Sequence, residues 1–379
     1  NLLRNKKIEA KINLDKIVSR HLGILAMTGM GKSNLVSLIT KKISEVKGTV
    51  IIFDYHNDYT TLNIPNVNVI DAKINPRLLE SDQFSEVLEI RENADVQQRV
   101  LRMSFTQEVK EAGEFWNKLE YEVDLLVNSE DKKLKEIRTS AYRVQDIIED
   151  AQRRFDDILD PEIGNPMDYI KEGYTNIINI SELSEKQANV AMGFYLQQLL
   201  KDRKNATIAK HGKSKKQKDY KFFEPIFIIL EEAHVFIPKD HDTAAKYWAA
   251  KIAREGRKFG VGLGIVSQRP RSVDLNILSQ MGSFAIMKII QEDDQRQIAS
   301  ATESTSRELI SQLTSLNVGD AVLVGQWTNL PSMVHVEEVK EKKMGADQSA
   351  TKAWIKADKM KNVGGKSTQG LVQKDLLLD

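Results

Sequence analysis

Residues 23–33 read GILAMTGMGKS, and this stretch decides the fold class. GILAM at 23–27 has the apolar run of a short buried strand. TGMGKS follows, and an amphipathic pattern then predicts a helix to about Val46. A glycine-bearing loop between a strand and a helix is the setting in which backbone N–H groups wrap a phosphate. Gly29 and Gly31 supply dihedrals that a Cβ would forbid. Thr28, Met30 and Asn34 complete the cradle. Lys32 is the point charge for β/γ-phosphate oxygens, and Ser33 offers its hydroxyl to Mg²⁺. Ala26 stands where the G-x-x-x-x-G-K-[ST] pattern has its first glycine; alanine fits there if the position is extended. The reading is an ATP site with Mg²⁺.

Working outward, TVIIFDY at 49–55 and NVNVIDA at 66–72 predict two more strands. Residues 78–158 are charge-rich, almost free of Pro and Gly, and carry helical spacing, so they predict a helical insertion. Strands resume at NIINI (176–180), followed by a helix from Ser184 to about Lys201. KDRKNATIAKHGKSKKQKDYK at 201–221 shows no apolar period and predicts a basic loop. Further strands are expected at PIFIILEE (225–232), VGLGIVSQ (261–268), SFAIMKII (283–290), DAVLVG (320–325) and SMVHVEE (332–338). Strands alternating with helices predict an α/β fold with a mainly parallel central sheet. The expected organisation is a core in two pieces, 1–75 and 173–338, an insertion at 76–172, and a Lys-rich tail at 339–379.

PIFIILEE ends in two carboxylates at the edge of the expected site. Glu231 suits the metal side, and Glu232 suits polarisation of an attacking water. A catalytic glutamate argues for hydrolysis. Gln268, at the tip of the next strand, is placed to sense the γ-phosphate.

Composition limits the classes. The 379 residues carry 55 Lys+Arg against 54 Asp+Glu, a formal net charge of +1, and no cysteine. Bulk charge therefore does not drive nucleic-acid or membrane binding. Disulfide scaffolds, Cys-ligated metals and Cys nucleophiles are excluded. No stretch has the apolar length of a membrane span and no signal peptide opens the chain, so the expected setting is cytoplasmic without a membrane partner.

The blocks TGMGKSNL (28–35), FDYHNDY (53–59), LEEAHVFIP (230–238), AREGRKFGVGLGIVSQRPRSVDLNILSQ (253–280) and LNVGDAVLVG (316–325) together resemble the HerA branch of the HerA–FtsK superfamily of DNA-pumping ATPases. The resemblance covers about 15–340. It implies a RecA-like P-loop core assembled as a homo-hexamer that moves double-stranded DNA, working with a NurA-type nuclease in DNA-end resection. It also implies a small β-barrel ahead of the core; no such barrel is expected within residues 1–379, which open on Asn1 rather than Met. In FDYHNDY, Asn57 and Asp58 replace the more usual Gly and Glu. Asp54 is retained and is expected just outside the metal's ligands. Arg257 falls where the family carries an arginine that reaches a neighbour's γ-phosphate, with Arg254 as the fallback. Arg20, with His21, and Val334–His335 are expected to flank the adenine. The alternative is a conjugation- or secretion-type coupling ATPase that moves protein or nucleoprotein. A further alternative is a nucleotide-dependent scaffold, against which the Lys32, Ser33 and Glu232 set argues.

Overall fold

The computed structural model describes residues 1–3, 7–91, 93–156, 158–210, 220–302 and 306–339. Among these, nine strands form one sheet: β1 (Leu22–Leu25), β2 (Thr49–Asp54), β3 (Val67–Asp71), β4 (Thr175–Asn179), β5 (Ile226–Leu230), β6 (Val261–Ser267), β7 (Ser283–Ile286), β8 (Asp320–Gly325) and β9 (Ser332–His335). Their order is β3-β4-β2-β5-β6-β1-β7-β8-β9. Every pair from β3 to β7 is parallel, and β8 and β9 close the sheet antiparallel. This is the α/β architecture expected from the alternating strands and helices.

The strands that read as continuous apolar runs are those buried on both faces, as parallel sheets demand. Alternate residues feed two cores. Val50, Ile52, Phe227 and Ile229 pack with Leu35, Val36, Ile39 and Ile43 of the helix after the loop. Ile51, Phe53, Ile228 and Leu230 face the other side.

The helices, in chain order, are α1 (Leu14–Arg20), α2 (Lys32–Glu45), α3 (Ser81–Val87), α4 (Asp95–Ser104), α5 (Gln107–Glu111), α6 (Phe115–Val127), α7 (Lys132–Lys135), α8 (Arg138–Arg154), α9 (Glu185–Lys210), α10 (Ala233–Phe236), α11 (Ala244–Glu255), α12 (Leu275–Leu278), α13 (Glu292–Ala301) and α14 (Arg307–Gln312). Helices α3 to α8 lie between β3 and β4. Their apolar faces join the second core around Phe84, Phe105 and Phe115, with ring centroids 4.6–6.2 Å apart. Arg77 ties this region down through Pro161 O at 2.7 Å and Lys110 O at 3.0 Å.

One expectation changes. Residues 201–210 are not loop: α9 runs on to Lys210. Arg203 explains it, donating from Nη1 to Phe222 O and Phe223 O (2.7 and 2.8 Å) and from Nε to Phe259 O (3.0 Å) while buried. Residues 211–219 of the expected basic loop, and the tail from 340, lie outside the described residues.

His21 holds the entry to β1. Its Nδ1 accepts from Leu263 N–H at 3.0 Å and its Nε2 donates to Ala253 O at 3.1 Å. One nitrogen must accept, so the ring must be neutral. Burial pushes its pKa down to about 4. A lowered histidine pKa means the unfolded chain takes up protons first, so this stabilisation is complete above about pH 6.5 and is lost as pH falls toward about 4. The stability gap between wild type and His21→Ala is expected to shrink by about 3 kcal/mol across that window. Urea unfolding at several pH values measures it, and a gap independent of pH contradicts the assignment.

Candidate active site

The C-terminal ends of β1, β2, β5 and β6 converge, and the loop after β1 sits among them. Ala26 continues the strand pairing, its N–H donating to Ser267 O at 3.2 Å. It is not among the residues with positive φ, so the alanine in the first glycine position is accommodated. Gly29 and Gly31 have φ of +77° and +100°. A Cβ at Gly29 would meet open space, so backbone shape rather than crowding demands glycine there. Gly31 caps α2 with no side-chain hydrogen bond, and no acid lies in the first turn. The helix start, with Lys32 and Ser33 as its first residues, is therefore open to an anion.

Opposite it, β5 delivers its carboxylates. Glu232 adopts φ 46°, ψ 44°, a left-handed turn that costs a non-glycine residue roughly 1–2 kcal/mol. The turn keeps both acids at the strand end instead of carrying them along α10. Both are buried, at 7% and 6% exposure. Burial raises the Glu231 pKa to about 7; a hydrogen bond from Tyr59 and the Lys32 ammonium pull it back, and Glu232 pushes it up. Glu232 Oε2 is buried and makes no hydrogen bond, although His234 Nδ1 lies 3.2 Å away. Exposed His56 approaches Glu232 Oε1 at 3.8 Å. His234 also meets Ser267 Oγ at 3.2 Å. Its pKa is lowered to about 4, first by burial and then by Arg269 and Lys32.

Two adjacent buried carboxylates, Glu231 and Glu232, facing the open helix start would suit hard oxygen ligation of Mg²⁺ through Glu231. The donor set fits, with Ser33 and Glu231 as the chain's own oxygens.

Gln268 lies at the tip of β6, which pairs with both β5 and β1. Thr28 Oγ1 donates to its Oε1, so the side chain rests against the phosphate loop. Asp54 is fully buried. Its Oδ1 and Oδ2 accept from Asp58 N–H (2.9 Å) and Tyr59 N–H (2.8 Å), which organises the turn after β2. It therefore bears on a metal only through the residues of that turn. Asn57 has φ 60°, a conformation asparagine tolerates, which is how it replaces a glycine.

Three expected nucleotide contacts change. Arg20 precedes β1, whereas the phosphate loop follows it, so the strand's length of roughly 13 Å separates them. Arg20 lines a cavity of about 600 Å³ at the opposite end of the sheet, together with Arg254 and Arg257. Val334 is a core residue, paired with Ala321 and packed on the α2 side. Asn34 spends its side chain on Glu337 O (2.9 Å) and Val339 N–H (2.8 Å), leaving only its backbone for phosphate. His335 is half exposed and bonded to Asp320 at 2.8 Å. It borders Gly319, whose N–H donates to Met30 O at 3.1 Å, so it does sit beside the loop.

The matching family decides between P-loop lineages. Residues 1–199 match the family described as "Helicase HerA, central domain". The chain belongs to the HerA family. It is 38% identical over 370 residues to the DNA double-strand break repair helicase HerA of Sulfolobus acidocaldarius, covering 94% of this chain and 72% of that one. It is 39% identical over 365 residues to the HerA helicase of Sulfurisphaera tokodaii, covering 92% and 71%. In fold it resembles VirB4 of Thermoanaerobacter pseudethanolicus (TM-score 0.61, 14% identity, 87% of this chain and 96% of that chain). It also resembles the plasmid coupling protein TrwB bound to a non-hydrolysable ATP analogue (TM-score 0.57, 11% identity, 91% and 92%).

Tyr59, His234 and His56 went unpredicted at this site. FDYHNDY and LEEAH carry them in sequence, but nothing in their spacing says which side chains turn toward Glu231 and Glu232.

Proposed function

We propose that this chain is an ATP-hydrolysing ring motor that moves along or unwinds double-stranded DNA. One observation carries the reading: an open helix start with Lys32, two buried carboxylates and Gln268 meet at one end of the sheet, while Arg257 stands at the other. Lys32 neutralises the β/γ-phosphates, Ser33 and Glu231 hold Mg²⁺, and Glu232 takes the proton of the attacking water. Mg²⁺ held there would supply positive charge against the phosphate. Gln268 follows the γ-phosphate. Arg257, too far from its own chain's loop, serves the next subunit's nucleotide.

A homo-hexamer arranges six such shared sites around a pore. With net charge +1 per chain, DNA affinity then comes from basic residues repeated around that pore, and it falls steeply with salt. The names of the relatives support a role in double-strand break repair, and end resection with a NurA-type nuclease is the setting proposed here. The coupling-ATPase alternative rests on likeness of fold alone. Among the described residues no helix is long and apolar enough to cross a membrane.

The test is ATP turnover with and without long duplex DNA. The motor reading expects strong stimulation that disappears at high salt. Turnover indifferent to DNA favours a protein-moving ATPase.

A further inference from the structure

We propose that Tyr59 is a positioning residue that fixes the Glu231 carboxylate for the metal–nucleotide complex. The inference rests on the nucleotide-site reading above. Tyr59 is fully buried, and its hydroxyl donates to Glu231 Oε1. The phenol O–H is the donor of that bond and the carboxylate oxygen the acceptor. Glu231 Oε1 is thereby engaged, which leaves Oε2 for a cation.

The phenol is itself held. Asp54 grips the Asp58 and Tyr59 N–H groups with one oxygen each, and Leu62 N–H donates to Tyr59 O at 2.9 Å. Thr60 Oγ1 bonds Asn57 Oδ1 at 2.6 Å, bracing the turn at its left-handed residue. Because β2 pairs with β5, with Phe53 opposite Leu230, this turn is built against the strand that ends in Glu231. Asp54, Tyr59 and Glu231 thus form a chain of contacts from one strand end to the next. A partner that orients a metal-binding carboxylate typically contributes about 10–100-fold in metal affinity or activity.

The experiment uses the full chain with ADP and Mn²⁺ as the probe, free Mn²⁺ being read by electron paramagnetic resonance. ADP affinity in EDTA is measured alongside. Tyr59→Phe is expected to weaken Mn²⁺ binding to the ADP complex by about tenfold or more, with ADP affinity in EDTA unchanged. In a Glu231→Gln background the same change is expected to add nothing, because the hydroxyl acts through that carboxylate. Asp54→Asn keeps the hydroxyl but loosens the turn; it should shift Mn²⁺ affinity in the same direction, and it carries the test if Tyr59→Phe does not fold. Mn²⁺ affinity unchanged in the variants, or a full additional loss on top of Glu231→Gln, overturns the proposal. A wild-type chain that binds no Mn²⁺ with ADP overturns the nucleotide-site reading instead.

Discussion

Glu232→Gln is expected to bind ATP as wild type does and to hydrolyse it on the order of 10³-fold more slowly. The amide has the shape of the acid, so the left-handed turn at φ 46° and the packing around it stay as they are. What is lost is the proton acceptor. Nucleotide binding with an unreactive analogue and phosphate release with ATP separate the two effects. Release at the wild-type rate would place the base elsewhere. The next candidate is then His56, 3.8 Å from Glu232 Oε1 and exposed, rather than His234, whose ring is mostly covered and lies near Lys32 and Arg269.

Arg257→Ala is expected to bind ATP and to assemble, yet to lose on the order of 10³-fold or more in turnover. The reason is its position. It lies in the turn Gly256–Phe259 ahead of β6, exposed, in the same cavity as Arg20 and Arg254. The nucleotide loop of its own chain is at the other end of the sheet. An arginine there helps only a neighbour. Mixing Arg257→Ala with Lys32→Ala, each inactive alone, is therefore expected to restore part of the activity, because an intact loop then faces an intact arginine. Mixed assemblies that stay inactive while exchanging subunits would count against a role across the interface. The placement of Arg20 in the same cavity extends this expectation: its loss should also lower turnover without altering ATP affinity.

Much of this was legible in the sequence, for physical reasons that can be named. Strands such as 49–54 and 226–230 are buried on both faces, so their sequences are apolar runs, mostly of β-branched and aromatic residues, that meet a carboxylate at their C-terminal ends. The phosphate loop was legible because glycines at φ +77° and +100° have no substitute at that turn. Other features depend on contacts distant in sequence. The Lys-rich run after Lys201 reads as loop by composition, yet α9 persists because buried Arg203 reaches Phe222, Phe223 and Phe259. Helix α1 is short, with Ile17 its single buried residue, too little for a period to show. The placement of Arg20 depends on the strand between it and the phosphate loop: nearness in sequence is not nearness in space, and β1 puts Arg20 beside Arg254 and Arg257. Tyr59 was invisible because an aromatic in a polar turn looks exposed until its hydroxyl is seen on Glu231.

In the proposed motor, one ATP is shared by two copies of this chain around DNA. The most direct measurement is an electron cryomicroscopy reconstruction of the protein with duplex DNA and a non-hydrolysable ATP analogue. A closed ring with DNA through its centre is predicted, each nucleotide lying between Lys32 and Ser33 of one subunit and Arg257 of the next. Nucleotide bound at Lys32 with every Arg257 remote from it, or DNA lying outside the assembly, would contradict the account.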